Sequence, residues 1–234
     1  MELPYFYEKN FYEKEHFILS EETAKHCVQV LRMKTGEKLN ITDGTGNIFT
    51  SIITEIGKKN CVVKVEEKIF KPKPVKQISI AISLLKNAAR FEWFLEKATE
   101  IGVAEIVPLI CRRTERQHFR WDRMNKILIS AMLQSQQAWL PQMPPPQAFR
   151  QYLLQFKNSS SSQKKLIAHC ATGEKKTLKN FSSENNIQIF IGPEGDFTDD
   201  EILLALQNNF TAVSLGNTRL RTETAGIVAA TILA

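Results

Sequence analysis

Two prolines in four residues, Lys71-Pro-Lys-Pro74, split this chain into stretches with different hydropathy rhythms. Proline fixes its own φ and keeps the preceding residue out of the helical region, so the segment reads as an extended, semi-rigid connector. The domain boundary is placed there, with one domain over 1–72 and a second over 73–234.

The stretch before the connector is mostly β with one helix. Ser20 is placed to cap a helix whose apolar stripe is Ala24, Cys27, Val28 and Leu31. Strand-like runs then cover Lys38–Thr42, Ile48–Ile56 and Cys61–Phe70. Asp43-Gly-Thr-Gly-Asn47 and Gly57-Lys-Lys-Asn60 lie between them, so the runs read as hairpins. A small barrel is a natural way to bury strands of this kind.

Beyond the connector, strands and helices alternate. Ile78–Leu85 is a continuous apolar strand, and Phe91, Phe94, Leu95, Ala98 and Ile101 mark one face of a helix that stops at Gly102. Ala104–Ile110 completes a β-α-β unit, for which a parallel crossover is the default. A long helix is predicted over Trp121–Trp139, halted by Pro141 and Pro144-Pro-Pro146. Asn158–Gln163 reads as a polar surface loop, and Leu166–Cys170 and Ile187–Ile191 as short strands. The second part is therefore an α/β domain.

Composition narrows the function classes. No run approaches the roughly 20 apolar residues of a membrane helix, and the acidic, aromatic N-terminus has no apolar core like that of a secretory signal. A cytoplasmic, membrane-free protein is expected. Cys27, Cys61, Cys111 and Cys170 are widely spaced, which speaks against a disulfide framework or metal site and for buried, reduced thiols. The net charge of +6 is mild, but Arg112, Arg113, Arg116, Arg120, Arg123 and Lys126 fall close together against Glu115 and Asp122. Such a cluster suits RNA phosphates, and equally a solvated helix face.

Two loops draw attention as chemistry. Ile191-Gly-Pro-Glu-Gly-Asp-Phe197 leaves an apolar strand and leads into a capping-box pattern, Thr198-Asp-Asp-Glu201. Val213-Ser-Leu-Gly-Asn-Thr-Arg-Leu-Arg-Thr-Glu-Thr-Ala225 leaves another strand and feeds an apolar segment ending at Ala234. Each could be an ordinary strand-to-helix turn, or could offer backbone N–H groups to a ligand. Ligands of open α/β sheets collect outside the strand carboxyl ends, so adjacent loops of this kind can flank one pocket. Arg219, Arg221 and Glu223 so close to an apolar segment imply an ion network or a polar ligand. No G-x-G-x-x-G, P-loop, zinc-protease or nucleophile-elbow motif occurs. His169 and Cys170, as neighbours on a strand, point to opposite faces and make a poor catalytic pair.

Taken in order, several short motifs resemble the SPOUT family of small-subunit ribosomal RNA methyltransferases that act on uridine N3. They are His26-x-x-x-Val30-Leu31-Arg32, Leu85-Lys86, Glu96-Lys97-Ala98-Thr99-Glu100-Ile101-Gly102-Val103, Pro108-Leu109 with Arg113-Thr114, Gln134-Ser135, Ile191-Gly192-Pro193-Glu194-Gly195, and Leu215-Gly216 with Leu220-Arg221-Thr222-Glu223-Thr224-Ala225. The likeness covers nearly the whole chain.

It implies an N-terminal PUA-like β-barrel that helps hold RNA and a C-terminal SPOUT α/β domain with a trefoil knot. It implies S-adenosylmethionine (SAM) as methyl donor, no metal, and a homodimer acting on 16S rRNA or the assembled small subunit. Gly192, Gly195, Leu215, Gly216, Leu220, Thr222 and Ala225 would line the donor pocket. Arg221 and Glu223 could be catalytic, structural or an ion pair. Arg113 and Arg116 are assigned to RNA phosphate. His26 and Arg32 become RNA contacts by family position, while capping or packing serves equally well from the residues alone. No residue stands out as the general base.

The chain departs from the family pattern in three places. Met1-Glu-Leu-Pro-Tyr5-Phe6 lacks an Arg, Asp196 replaces the last glycine of Gly-Pro-Glu-Gly-Gly, and Leu133-Gln-Ser-Gln-Gln137 replaces Glu-Gln-Ser-Gly-Arg. The rival readings are a pure RNA-binding module, a knotted methyltransferase acting on tRNA or ribose 2′-OH, and a small-molecule enzyme.

Overall fold

The computed structural model describes residues 3–11, 16–57, 60–115, 118–156 and 163–234. The chain forms two compact units, 1–73 with 132–140, and 74–131 with 141–234.

The first unit holds β1 (Tyr5–Tyr7), β2 (Phe17–Ile18), α1 (Glu21–Lys25), β3 (Lys38–Thr42), β4 (Asn47–Ile56) and β5 (Cys61–Phe70). They make a five-stranded sheet in the order β1-β3-β4-β5-β2. β1 runs parallel to β3, and the other neighbours are antiparallel. Register shifts in the long β4–β5 ladder at Thr50/Ser51 and Ile53/Glu55 add local twist. Phe6, Leu39, Ile41, Phe49, Ile53 and Val63 fill its core, with Cys27 and Cys61 among them.

Ser20 caps α1 as expected, its Oγ accepting the Thr23 N–H at 3.3 Å. The predicted helix does not continue as one α-helix. His26–Val30 widens into a π turn, and Arg32 follows at φ +56°. Ala24 and Cys27 of the predicted stripe are buried, but Leu31, just past the turn, ends up exposed.

The second unit contains β6 (Gln77–Ser83), α2 (Ala88–Ile101), β7 (Glu105–Ile110), α3 (Trp121–Gln134), β8 (Gln147–Ala148), α4 (Phe149–Leu154), β9 (Lys164–Ala168), β10 (Lys176–Thr177), β11 (Asn186–Ile191), α5 (Asp199–Gln207), β12 (Thr211–Ser214) and α6 (Thr222–Leu233). Seven strands form one sheet in the order β10-β12-β9-β11-β6-β7-β8, and every neighbouring pair is parallel. Central strands of such a sheet are covered on both faces, which explains why β6 and β11 are buried along most of their length and carry apolar residues on both sides. Phe149, Tyr152, Phe190, Phe197, Ile202 and Phe210 pack on one side. α2 and α6 pack together elsewhere in this unit, with Gly226 of α6 set close against Phe94 of α2.

α2 ends where predicted, with Gly102 left-handed at φ +96°. α3 stops five residues short of the predicted Trp139. Gln136 takes φ +53°, and Ala138 and Leu140 then bond the turn of their own unit. Gly46 N–H donates to Ala138 O at 2.9 Å, and Leu140 N–H donates to Gly44 O at 2.9 Å. Those bonds replace further helix. The predicted loop over residues 158–162 lies outside the described residues.

Candidate active site

Three neighbouring strands, β12, β9 and β11, end side by side and release three loops around one cavity of about 660 Å³. That volume suits a cofactor-sized ligand, and the position outside the carboxyl ends of parallel strands is where such ligands bind. The β11 loop contributes Gly192, Pro193, Glu194 and Asp196. The β12 loop contributes Leu215, Gly216, Leu220 and Arg221 among others, and α6 adds Thr222 and Ala225. The β9 loop contributes His169, Cys170 and Lys175.

The loops owe their shape to particular residues. A Cβ at Gly192 would stand 3.1 Å from the Phe197 backbone nitrogen, so glycine allows the loop to fold back on itself. Gly216 adopts φ +146° with open space where a Cβ would be, so backbone conformation, not crowding, calls for glycine there. Its amide donates to Ser214 Oγ at 3.3 Å, and that hydroxyl donates to Gly216 O at 3.0 Å.

Asp196 sits at φ +64°, in the left-handed region that glycine adopts most readily. Aspartate tolerates this backbone, and its carboxylate turns the tolerance to use. One oxygen accepts Phe197 N–H at 2.8 Å, and the other accepts Cys170 N–H from the β9 loop at 2.7 Å.

Six of the seven residues predicted to bind the cofactor line the cavity: Gly192, Leu215, Gly216, Leu220, Thr222 and Ala225. Gly195 does not. It lies against Arg113, whose Nη1 donates to Gly195 O at 2.7 Å and to Phe197 O at 3.3 Å. Arg113 thus braces the loop from behind, although its side chain remains exposed.

Arg221 reaches the cavity and Glu223 does not. Thr222 and Ala225 share a helix face, and Glu223, one step round, turns away from it. Its carboxylate is buried, with Oε1 3.7 Å from Arg90 Nε and Oε2 without a hydrogen-bond partner among the described residues.

His26 and Arg32 are both exposed in the first unit, at either end of the π turn, and His26 meets Phe6 edge-on at 5.6 Å. Arg116 lies outside the described residues.

The basic cluster is less free than its sequence suggests. Arg123 makes a two-pronged pair with Glu92, at 2.6 and 2.8 Å. Arg112 Nη1 stands 3.6 Å from Asp200. Those partners are remote in sequence, which is why counting neighbouring acids missed them.

Sequence reasoning also missed the β9 loop. β9 ends at Ala168, two residues before the predicted Cys170. The strand rule that set His169 and Cys170 on opposite faces therefore does not apply, and both line the same cavity. Cys170 is exposed, unlike the buried Cys27, Cys61 and Cys111. The one available signal was position, since the loop follows a third apolar strand. Among the described residues, no group of three His, Cys, Asp or Glu side chains is placed to hold a metal ion. No helix among them is long and apolar enough to cross a membrane.

Comparison with known proteins agrees with this architecture. Residues 71–234 match the family model of the RNA methyltransferase domain, and residues 19–66 match that of the RNA methyltransferase PUA domain. The ribosomal RNA small subunit methyltransferase E of Rickettsia conorii is 31% identical over 216 residues, 91% of this chain and 86% of that protein. Its counterpart in Buchnera aphidicola subsp. Acyrthosiphon pisum is 32% identical over 231 residues, 94% of this chain and 87% of that one. Among solved structures, a probable rRNA-methyltransferase from Porphyromonas gingivalis superposes with a TM-score of 0.90 at 36% identity, covering 98% of this chain and 96% of that one. A ribosomal RNA small subunit methyltransferase E from Neisseria gonorrhoeae, bound to S-adenosyl methionine, gives 0.86 at 28% identity over 98% and 96% of the two chains. With both units matched and the cavity built on the loops that its motifs marked, the chain belongs to the ribosomal RNA small subunit methyltransferase E family of RNA methyltransferases.

Proposed function

We propose that this protein transfers the methyl group of SAM to N3 of a uridine in 16S rRNA, on naked rRNA or on the assembled small subunit. The observation that carries this reading is the convergence of three loops on one cavity at the ends of β12, β9 and β11. The residues present fit the donor. Gly216 leaves open space where a side chain would stand, Leu215 and Leu220 offer apolar cover, and the two shielded nitrogens of His169, without a partner among the described residues, can meet a polar group.

When bound, the donor supplies a methyl carbon made electrophilic by its sulfonium. The protein's part is to align that carbon with N3 and exclude water. The N3–C bond forms as the S–C bond breaks, and the N3 proton leaves to a base or solvent. Arg221 lines the cavity, and its cation there would favour the deprotonated N3. Glu223, turned toward Arg90, serves as a support for α6 in this reading.

The first unit takes the RNA-holding part, as a PUA-like barrel closed from its five-stranded sheet, with His26 and Arg32 as exposed contacts. A guanidinium has five donors, so Arg113 can brace the Gly195 loop with one nitrogen and meet phosphate with others. The second unit takes the knotted form of the SPOUT fold. The family resemblance supports this; β11 and β12 flank β9 in the sheet, an order that knotted and unknotted α/β folds share. A cytoplasmic homodimer completes the proposal, on the strength of the family resemblance.

Two measurements test it. Calorimetry should show SAM binding by the purified protein without RNA, and absence of binding at millimolar SAM would end the enzyme reading. Mass spectrometry of ribosomal RNA from a strain lacking the gene should show loss of one N3-methyluridine, restored by complementation. A loss from tRNA, or of a ribose methyl, would transfer the protein to a different substrate class.

A further inference from the structure

His169 stands directly after β9 and lines the cavity. Both ring nitrogens are shielded from solvent, and neither has a hydrogen-bond partner among the described residues. A neutral imidazole carries one donor and one acceptor. Shielded polar atoms without partners are costly and uncommon, so this ring is short of a ligand.

The surrounding backbone is pinned. Lys175 Nζ donates to His169 O at 2.9 Å. The next residue, Cys170, gives its N–H to Asp196 at 2.7 Å. The ring is therefore presented from a loop tied to the neighbouring Gly192–Phe197 loop.

We propose that His169 hydrogen-bonds the adenosine part of the methyl donor, and that Asp196 is the residue that positions it. The proposal rests on the SAM reading above. Charge selects the part of the donor concerned. The amino-acid end of the donor carries a carboxylate and two cations. The carboxylate has better partners in Lys175, Arg219 and Arg221, all on the cavity wall, and the cations are repelled by Lys175. The hydroxyls and base edge of adenosine are neutral and both give and accept hydrogen bonds, which matches a neutral imidazole. Burial first, then the Lys175 charge, hold this ring below its ordinary pKa against the opposing pull of Asp196. Asp196 ties the two loops together at this point. A glycine would accept φ +64° more readily, but could not bridge Cys170 and Phe197.

The test is calorimetry on the full-length protein with SAM and, separately, S-adenosylhomocysteine, which share adenosine and differ in the methyl and its charge. His169→Leu should weaken both by the same factor, about tenfold. His169→Asn, which keeps a donor and an acceptor, should return to within about threefold of the parent. Asp196→Gly should weaken both by about threefold. In the unmodified protein, the His169 ring-nitrogen resonances should shift when S-adenosylhomocysteine is added, a readout that does not depend on any variant folding.

Resonances that stay put overturn the proposal, as does a His169→Leu protein that binds both ligands within twofold of the parent (roughly the error of comparing two affinities). A loss confined to SAM moves the ring to the sulfonium and overturns it too. Intact affinity with lost methylation would make the ring a proton acceptor instead. An unmodified protein that binds neither ligand sinks the SAM reading itself, and this proposal with it.

Discussion

Gly226 on α6 lies flat against Phe94 on α2: a Cβ built on the glycine would stand 2.5 Å from Phe94 Cε2 and 3.0 Å from Ile82 Cδ1. Phe94 is fully buried and cannot swing away. Gly226→Ala should therefore destabilise the second unit by about 1–3 kcal/mol, the usual cost of overpacking a core. Denaturant unfolding measures it. A midpoint unchanged from the parent would show that α2 and α6 part easily.

Glu201 links two segments at the start of α5. Its Oε2 accepts Thr198 N–H at 2.9 Å to complete the capping box, and its Oε1 accepts Arg112 N–H at 2.8 Å. Thr198→Ala should cost about 1 kcal/mol, the typical value of an N-cap. Glu201→Ala removes the reciprocal bond and leaves the Arg112 amide unmatched, so it should cost more. Equal losses in thermal unfolding would mean that the Arg112 bond contributes nothing.

Arg113 has two tasks in this account, and a single substitution separates them. Arg113→Ala should lower RNA affinity and reduce the salt slope by about 1, as for one lost phosphate contact. It should also weaken SAM binding several-fold (an order-of-magnitude estimate from the loss of a backbone brace), because Gly195 O and Phe197 O lose their donor. From sequence alone, only the RNA effect is expected. Unchanged SAM affinity would return Arg113 to the surface.

The pH dependence of donor binding follows from His169. Its pKa lies below the ordinary value, chiefly through burial, so the ring is neutral at pH 7. The donor needs the neutral ring, so protonation competes with binding only as pH falls to the depressed pKa, below the ordinary histidine value. SAM affinity should be flat above that pH and decline beneath it, and His169→Asn should remove the decline. The same shift bears on folding. A group whose folded pKa is depressed contributes stability above its unfolded pKa, and that contribution is lost as pH drops through the folded value. An affinity that rises on acidification would contradict this assignment.

Much of the fold could be read from residue order. The first compact unit gives way to the second within Lys71-Pro-Lys-Pro74, although 132–140 groups with the first against the expected 73–234, and β3, β5 and β11 fall where apolar runs and glycine turns put them. The Thr198–Glu201 box needs only four consecutive residues and is present in full. The two motif loops were visible because glycine next to an apolar strand is a local signal.

Other features depended on partners far away in sequence. α3 ends early because Ala138 and Leu140 find backbone partners near Gly44 and Gly46, roughly ninety residues upstream. Arg123 is neutralised by Glu92, and Arg113 is turned toward Gly195. Nothing local to those residues announces such contacts.

By itself, then, the sequence determined the β-rich and α/β parts, the strands of the core and the two glycine loops, since hydropathy period and backbone freedom are properties of neighbouring residues. Only the tertiary structure decided that β9 lies between β11 and β12, and so that His169 joins both loops at one cavity. Strand order in a parallel sheet is fixed by long crossovers and by side-chain packing across the whole layer, which no short window of sequence contains.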